Sequence, residues 1–363
     1  MSKQANSIVF VINSLKIGGA AKMIQFVASN VRSQFDEVTM LSIYDSESYG
    51  DLPETIRRIN LGINSKIWWP KRTPLLLYKL RGELRRLRPQ YICSFVSDVA
   101  CFTRISSLGL GAIVMSAERG DPGVYSKMLF TMLRWTFNHS DYCFFQLPQA
   151  RDFFSDKVKD KSYVIPNPYV PEKGIEPYFG ERNKTIVSAG RFTWQKGYEI
   201  LIPAFAKVAE HYPEYSLILF GSGPFEEGYH KQCKQLGIED KVHFPGYVKS
   251  VPQAVRKEGI FVLSSRFEGI PNSLIEAMSV GVPTVSTDCT PGGADFLTHH
   301  GERGLLVPID DIDGIANAII SIIEDDTLRE RLSHAGPEVL EELSENKIAK
   351  EWNDAFNEIK SKK

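Results

Sequence analysis

Residues 260–287 read IFVLSSRFEGIPNSLIEAMSVGVPTVST and contain a complete strand–loop–helix–strand unit. The runs Ile260–Leu263 and Thr284–Thr287 predict two strands, and the apolar residues within 272–278 predict a helix between them. Asn272 is a residue type that can cap the start of this helix. Strands that alternate with helices predict a parallel sheet, in which ligands bind at the carboxyl ends of the strands. The loop before the helix is therefore the first candidate for chemistry.

The same alternation of strands and helix-length segments extends along the chain in two series. The predicted strands of the first series are Ser7–Asn13, Val38–Tyr44, Tyr91–Phe95, Ile113–Ser116 and Tyr142–Gln146. Those of the second series are Thr185–Ala189, Ser216–Phe220, Val242–Phe244, Ile260–Leu263 and Thr284–Thr287. The predicted helices include Ala21–Ser33, Pro74–Arg86, Tyr125–Asn138, Tyr198–His211 and Ile312–Glu324. We therefore expect an α/β fold with two doubly wound parallel sheets.

A proline-rich stretch separates the two series. Pro166, Pro168, Pro171 and Pro177 interrupt both patterns, because proline lacks the N–H and restricts the residue before it. A chain of 363 residues also exceeds the size of most single hydrophobic cores. We predict Rossmann-like domains at 1–168 and 169–345, and a C-terminal helix at 346–363 that packs back towards the first domain.

The composition, 43% hydrophobic and 24% charged, is typical of a soluble globular protein. The longest apolar run near the start, Ile8–Ile12, is too short for a membrane span or a secretory signal. Five cysteines without a CxxC pair support neither a disulfide framework nor a zinc site. We expect a cytoplasmic protein that binds no nucleic acid and uses no metal or other cofactor.

Charge is distributed unevenly along the chain. Residues 1–170 contain 22 Lys/Arg and 14 Asp/Glu, whereas the remainder contains 21 and 30. Within 66–88, eight basic residues accompany a single acid, Glu83, and are interleaved with Trp68 and Trp69. Such a stretch can bind the inner face of the cell membrane peripherally. A solvated helix face with a buried apolar side explains the same pattern equally well.

Two loops that follow predicted strands have residue types suited to phosphate. Gly18 and Gly19 precede a helix, whose free amides favour an anion, although a plain strand-to-helix turn would contain the same glycines. Arg191 and Lys196 follow the first strand of the second series. A planar guanidinium and an ammonium there can stabilise a departing diphosphate, unless both simply face solvent.

Two carboxylates lie in the stretch quoted first. Glu268 falls in the loop, and Glu276 lies about one turn into the predicted helix. Carboxylates at these positions can accept hydrogen bonds from vicinal sugar or ribose hydroxyls. Acids on a surface helix are ordinarily just solvated. The apolar residues on either side of Glu276, however, indicate a buried helix, in which a carboxylate without a binding partner would lower the stability of the fold.

Together these motifs resemble a family 4 glycosyltransferase of the GT-B fold over nearly the whole chain. The resemblance is carried by Gly18-Gly19-Ala20, Gly190-Arg191 with Lys196-Gly197, Gly221-Ser222-Gly223-Pro224, the pair Glu268 and Glu276, and Gly281-Val282-Pro283-Thr284-Val285. It implies two domains facing a cleft and a retaining enzyme. Such an enzyme transfers a hexose or N-acetylhexosamine from a nucleotide sugar, typically UDP-activated, to a lipid-linked or growing glycan in cell-envelope polysaccharide synthesis. The alternatives are a non-catalytic nucleotide-sugar-binding scaffold and a GT-B nucleotide-sugar epimerase.

The resemblance also assigns residues to the site. The implied donor-binding residues are Gly18, Gly19, Arg191, Lys196, Glu268, Gly269, Ile270, Pro271, Asn272 and Glu276. The implied catalytic residues are Arg191, Lys196, Glu268 and Arg119. Glu276 would bind the ribose hydroxyls and the two cations the diphosphate, while the leaving phosphate would help to deprotonate the acceptor. A double displacement would instead need a carboxylate nucleophile beneath the anomeric carbon.

Two motifs need separate interpretation. Many relatives have a histidine where Arg119 stands, so Arg119 either contacts the donor or pairs with Asp121 to stabilise its loop. Asp311-Ile312-Asp313 matches the DxD motif of metal-dependent glycosyltransferases. It stands at the start of an apolar-patterned helix, where an acid caps the N-terminus, and we therefore predict a capping role and no metal.

Overall fold

The computed structural model describes residues 6–15, 19–44, 52–66 and 68–362, without the side chain of Trp69. The strands in the described residues are β1 Ser7–Ile12, β2 Glu37–Tyr44, β3 Arg57–Ile63, β4 Tyr91–Phe95, β5 Ile113–Ala117, β6 Tyr142–Phe145, β7 Ser162–Val164, β8 Thr185–Ala189, β9 Ser216–Phe220, β10 Val242–Gly246, β11 Ile260–Leu263, β12 Thr284–Thr287 and β13 Leu305–Val307. The α-helices are α1 Gly19–Asn30, α2 Trp69–Leu87, α3 Ser97–Ser106, α4 Lys127–His139, α5 Pro148–Asp152, α6 Asp156–Lys159, α7 Tyr198–His211, α8 Glu226–Gln235, α9 Val251–Val255, α10 Asn272–Ser279, α11 Gly293–Thr298, α12 Ile312–Glu324, α13 Asp326–Ala335, α14 Val339–Glu342 and α15 Glu345–Ser361.

The chain divides into two compact units, and its last helix belongs to the first of them. The first unit is Met1–Asn167 with Glu345–Lys363, and the second is Pro168–Ser344. On α15, Trp352 is fully buried and stacks on Phe144 of β6 with ring centroids 4.5 Å apart. The end of the chain therefore completes the hydrophobic core of the first unit.

The first unit is built on a parallel sheet of order β3-β2-β1-β4-β5-β6-β7. Every residue of β1 is buried, because helices cover both faces of the sheet. Successive side chains of a strand point to opposite faces, so Phe10 packs with α1 and α15 whereas Val9 and Val11 pack with leucines of α2.

The second unit has a parallel sheet of order β10-β9-β8-β11-β12-β13. On one face Val262 packs with residues of α7 and α12, and on the other Phe261 packs with residues of α10. The order of each sheet reverses once, between β1 and β4 in the first unit and between β8 and β11 in the second. The predicted fold of two doubly wound parallel sheets is confirmed. The loops after β8 and β11 begin side by side at such a reversal, which is where these folds bind ligands.

The differences from the predicted elements lie mainly at sheet edges. The sequence did not predict β3, β7 or β13, and each of them is the outermost strand on one side of its sheet. Edge strands are less buried, and β3 begins with the exposed Arg57 and Arg58, so their apolar patterns are weak. The prediction that a helix begins at Pro74 is wrong: α2 begins at Trp69 and includes Pro74, because Leu76 and other buried leucines of α2 anchor it to the sheet.

No helix in the described ranges is both long and apolar enough to cross a membrane.

Candidate active site

A cleft of about 470 Å³ opens in the second unit at the carboxyl ends of β8 and β11. Six of the residues predicted for the site line it, namely Arg191, Lys196, Glu268, Ile270, Asn272 and Glu276. Gly269 and Pro271 belong to the same loop, between the lining residues. Gly19 is the first residue of α1 in the first unit, and Gly18 lies outside the described residues.

The centre of the cleft is an ion pair between Lys196 and Glu268. The ammonium nitrogen Nζ lies 2.7 Å from the carboxylate oxygen Oε1, and the two side chains are only 15% and 14% exposed. Ser265 Oγ donates a second hydrogen bond to the same oxygen at 3.1 Å. Because each lysine ammonium has three donors and each carboxylate two acceptor oxygens, both groups keep capacity for a ligand.

Hydrogen bonds hold the two loops that carry this pair in register. Ser264 Oγ donates to the carbonyl oxygen of Lys196 at 2.8 Å, and Gln195 Nε2 donates to that of Phe267 at 2.9 Å. The guanidinium of Arg266 lies 4.6 Å from the ring centroid of Trp194, where a cation–π contact adds to the link. The positions of Lys196 and Glu268 are thus fixed before any ligand binds.

Gly197 allows the closest approach of these loops. Its φ is +62°, and a Cβ atom there would lie 2.2 Å from the carbonyl oxygen of Ser264. We expect Gly197→Ala to lower the free energy of unfolding by about 1–3 kcal/mol, measured by urea unfolding. Gly228→Ala is the control, because α8 leaves open space at Gly228 and alanine favours a helix by about 0.5–1 kcal/mol. Equal stability of the Gly197 variant and the wild type would contradict this packing.

Glu276 lies on a helix that is buried on either side of it. Leu274, Ile275, Ala277 and Met278 are at most 2% exposed, as predicted. Burial, reinforced by the nearby carboxylate of Glu172, raises the pKa of Glu276 to about 7, while Lys196 opposes the shift. Among the described residues no side chain or backbone group donates a hydrogen bond to its carboxyl group. Glu276 therefore places at the cleft wall a carboxyl group that can accept a hydrogen bond from a ligand.

The start of α10 differs from the prediction. Asn272 does not cap the helix; it is the first helical residue, Pro271 precedes it, and no side chain caps this end. The Asn272 side chain is exposed at the cleft instead. Within the described residues the amides of Ile270, Asn272 and Ser273 have no backbone or side-chain acceptor. A helix start with free N–H groups suits hydroxyl or anionic oxygens of a ligand.

Arg191 supplies an unengaged cation at the cleft. Only Gly190 separates it from β8, it is exposed, and no described carboxylate lies within ion-pair distance of its guanidinium. Together with Lys196 it gives this wall of the cleft two positive charges against the carboxylates of Glu268 and Glu276. Such a wall can bind a diphosphate and hydroxyl groups at the same time.

The cleft also contains residues that were not assigned to the site from the sequence. Gly221 and Ser222 follow β9, and Tyr247, Val248 and Lys249 follow β10. Their signal is their position directly after a strand, the same signal that identified Arg191. Tyr247 is 81% exposed and places an aromatic ring at the cleft rim, where it can contact a planar group.

Arg119 lies in the first unit and is engaged inside the protein. Its Nη1 donates to the carbonyl oxygen of Ile165 at 2.8 Å, and its guanidinium lies 5.5 Å from the ring centroid of Trp352 and 5.8 Å from that of Phe95. Burial lowers the pKa of Arg119 to about 9. The neighbouring Asp121 accepts a hydrogen bond from the Gly123 amide. These contacts link the loop after β5 to α15, whereas Nε and Nη2 of Arg119 are buried without a hydrogen-bond partner among the described residues. The catalytic role of Arg119 stays a prediction.

The aspartates of the DxD pattern have structural partners. Asp311 Oδ1 accepts a hydrogen bond from the Gly314 amide at 2.8 Å, which confirms the predicted helix cap. Asp313 pairs with Lys207 of α7. In the part of the chain that the structure describes, no three His, Cys, Asp or Glu side chains are placed to hold a metal ion.

Comparison with known proteins gives matches along the whole chain. The family model of the glycosyl transferases group 1 matches residues 175–339. An uncharacterized glycosyltransferase of Haemophilus influenzae is 32% identical over 94% of this chain and 97% of its own length. A Campylobacter jejuni protein is 22% identical over 98% of this chain and 99% of its own length, and is named a GalNAc-alpha-(1->4)-GalNAc-alpha-(1->3)-diNAcBac-PP-undecaprenol alpha-1,4-N-acetyl-D-galactosaminyltransferase. Among solved structures, Anabaena HepE in complex with UDP has a TM-score of 0.77 and 20% identity over 98% of this chain and 100% of that one.

Proposed function

Because the chain belongs to the group 1 glycosyl transferases and has the GT-B fold, we propose that it is a retaining hexosyltransferase whose donor is a UDP-sugar. The observation that carries the proposal is the single cleft in which Arg191, Lys196, Glu268 and Glu276 meet. The two cations match the diphosphate of a nucleotide sugar, and the two carboxylates match its hydroxyl groups. The UDP bound to Anabaena HepE supports uracil as the base.

Each group in the cleft has a distinct task in this proposal. Arg191 and Lys196 bind the diphosphate and stabilise its charge as the bond to the sugar breaks. Glu276 accepts hydrogen bonds from the ribose hydroxyls, while Glu268 and the free amides of Ile270 and Asn272 hold the donor sugar. The acceptor hydroxyl attacks from the face that the diphosphate leaves, and a phosphate oxygen takes its proton. The anomeric configuration is then retained without a covalent enzyme intermediate.

We propose a lipid-linked or growing cell-envelope glycan as the acceptor. The name of the Campylobacter jejuni relative describes transfer to an undecaprenyl-diphosphate-linked glycan, which supports this class. An acceptor anchored in a membrane would bring the enzyme to the inner membrane surface, and the basic stretch 66–88 is the proposed contact. In this scheme the first unit serves the acceptor, with Gly18 and Gly19 contributing to phosphate binding, and the second unit serves the donor.

Thermal unfolding with excess UDP, GDP, ADP or NAD tests the donor site. At 100 times its dissociation constant, the right nucleotide should add about 2.7 kcal/mol to the free energy of unfolding. We expect UDP to give this shift, Glu276→Ala to lose it, and Glu227→Ala on the exposed face of α8 to keep it. Stabilisation by NAD alone, or an equal UDP shift in both variants, would contradict the proposed donor site.

Turnover separates a transferase from the two alternatives. A transferase hydrolyses its donor slowly even without an acceptor, so incubation with a UDP-hexose should release UDP and free sugar. A retaining enzyme initially releases this sugar in the anomeric configuration that it has in the donor. Proton NMR of the released sugar reports that anomer. A UDP-sugar that is epimerised instead would identify an epimerase, and tight binding without UDP release would identify a scaffold.

A further inference from the structure

A large aromatic side chain, Trp194, lies in the second unit just outside the residues that line the cleft. It begins the short 3₁₀ turn that ends at Lys196. The residue is 55% exposed, although tryptophan is one of the more buried residue types in globular proteins. Its indole therefore presents apolar surface to solvent two residues away from a cation of the proposed donor site.

Arg266 covers one face of the Trp194 ring. Its guanidinium carbon lies over the ring, 4.6 Å from the centroid, and its Nη1 donates to the carbonyl oxygen of Trp194 at 2.6 Å. The same nitrogen donates to Glu199 Oε1 at 2.5 Å, and Nε lies 2.9 Å from Asp310 Oδ1. The Arg266 side chain is only 12% exposed, so these partners fix its planar group. Since one face of the ring is covered and Trp194 is still 55% exposed, the opposite face is open.

The ion pairs of Arg266 also bring carboxylates close to the ring. Glu199 lies in the first turn of α7, and Asp310 lies in the loop after β13 with half of its side chain exposed. A carboxylate has two acceptor oxygens, so Asp310 keeps acceptor capacity beside its contact with Arg266. The C–H groups of a pyranose ring pack on the negative face of an aromatic ring, while its hydroxyls donate to carboxylates. A purely apolar ligand would instead desolvate the Asp310 carboxylate without offering it a donor.

Trp194 and Glu276 lie on opposite sides of the Lys196–Glu268 pair. Residues of α7 and α12 pack on one face of the sheet, and residues of α10 pack on the other. Glu276 is on α10, whereas Arg266, which holds Trp194, contacts the start of α7 and the loop before α12. In the proposed donor site the ribose lies at Glu276 and the transferred sugar at Glu268. The next sugar ring in the same direction is that of the acceptor.

We propose that the open face of Trp194 stacks on a sugar ring of the acceptor glycan, and that Asp310 accepts a hydrogen bond from one of its hydroxyls. This subsite belongs to the second unit and adds to the acceptor contacts proposed for the first. It rests on the proposed function for the role of the glycan as acceptor. The stacking surface itself is formed by contacts of Arg266 that need no donor, so the sugar ring should bind with or without UDP.

Saturation-transfer NMR tests the subsite directly. The probes are the methyl glycosides of glucose, galactose, N-acetylglucosamine and N-acetylgalactosamine, and the aromatic protons of the full chain are saturated with and without UDP present. We expect at least one glycoside to receive saturation mainly on the C–H protons of one ring face. Trp194→Leu should lose this transfer, whereas Trp194→Phe keeps a flat ring and should retain most of it. Trp135→Leu is the control and should behave like the wild type, because Trp135 is 40% exposed but belongs to the first unit.

Transfer kinetics measure what the stacking contributes to the reaction. With a glycoside that binds as acceptor, Trp194→Leu should raise its KM about ten-fold, the effect of losing one aromatic contact. Trp194→Phe should recover most of this loss. The thermal shift given by UDP distinguishes stacking from a merely structural role. If Trp194 only held the loop of Lys196, the UDP shift would decrease together with acceptor binding.

Several results would overturn the proposal. They are no saturation of any glycoside, saturation that survives in Trp194→Leu, its loss in Trp135→Leu as well, and a UDP shift that Trp194→Leu reduces in parallel. The outcome for the donor site is separate. Glycoside binding at Trp194 without stabilisation by UDP would support the subsite and refute the donor site, whereas stabilisation by UDP without glycoside binding would refute the subsite alone.

Discussion

Replacing Lys196 with methionine should lower kcat for sugar transfer by about 10²–10³-fold, the usual effect of removing one fixed group that stabilises charge in a transition state. Negative charge grows on the leaving diphosphate as the glycosidic bond breaks. The Lys196 ammonium lies at the cleft wall, and its position is set by Glu268 at 2.7 Å. Methionine keeps a similar apolar stem but removes the charge. We expect the loss mainly in kcat, because the charge is largest in the transition state.

The same change also leaves a carboxylate without its partner, and this effect must be separated from catalysis. Removing one member of a mostly buried ion pair lowers the free energy of unfolding more than removing both. Lys196→Met should therefore destabilise the fold by about 1–3 kcal/mol. Lys196→Met/Glu268→Gln removes both charges and should recover most of that stability. If Lys196 acts on the diphosphate, kcat of the stable double variant should stay below that of Glu268→Gln alone, which measures the loss that belongs to Glu268.

Steady-state kinetics and urea unfolding of the three variants decide between these roles. Lys207→Met on the exposed side of α7 is the control for loss of a lysine charge, and it should leave kcat unchanged. Recovery of kcat along with stability in the double variant would show that Lys196 serves only to neutralise Glu268. The proposed role in leaving-group stabilisation would then be wrong.

The sequence predicted residues that line one cleft because the loops that carry them follow strand ends. Arg191 and Glu268 lie in the loops that follow β8 and β11, and both strands are short and mostly buried. The reversal of strand order between β8 and β11 then brings their loops together, a consequence of topology that the alternation of strands and helices already contains. Six predicted residues therefore lie in one cleft without any side-chain contact having been known.

Contacts made by single side chains could not be predicted in the same way. Arg119 follows a strand as Arg191 does, yet it is buried against Trp352, which lies more than 230 residues later in the chain. The return of α15 to the first unit supplies the Trp352 part of that environment. The buried side of α4 could not be predicted either, because Met128, Met132 and Trp135 are exposed although they are as apolar as the buried Leu133 and Phe137.

The affinity for UDP should fall as the pH falls through about 7, because the pKa of Glu276 is raised to about 7 by burial and by the carboxylate of Glu172. The ionised carboxylate can accept hydrogen bonds from two ribose hydroxyls, whereas the protonated acid has lost one acceptor and gained a donor. If only the ionised form binds well, the dissociation constant should rise by about 30-fold between pH 8 and pH 5.5. Lys196, the nearby cation, limits the shift but does not reverse it.

The stability of the free protein should depend on pH in the opposite sense. The pKa of Glu276 in the folded chain, about 7, lies above the ordinary value of 4.5 that applies on unfolding. Between these values the folded chain holds the extra proton, so its free energy of unfolding decreases as the pH rises and levels off above 7. After allowance for screening at the open cleft, the total effect is about 1–2 kcal/mol. Ionised Glu276 thus destabilises the free protein in the state that binds the nucleotide best.

Glu276→Gln separates these two effects in a single variant. Glutamine keeps the size of the side chain but cannot ionise, so at pH 8 the variant should be more stable than the wild type and bind UDP about ten-fold or more weakly. Titration calorimetry from pH 5.5 to 8 measures the affinity, and the nucleotide's own protonation affects both proteins alike. The difference between them should therefore shrink as the pH falls and Glu276 becomes neutral. A difference that stays constant across this range would mean that Glu276 is ionised throughout, and a difference that is absent would mean that the ribose binds elsewhere.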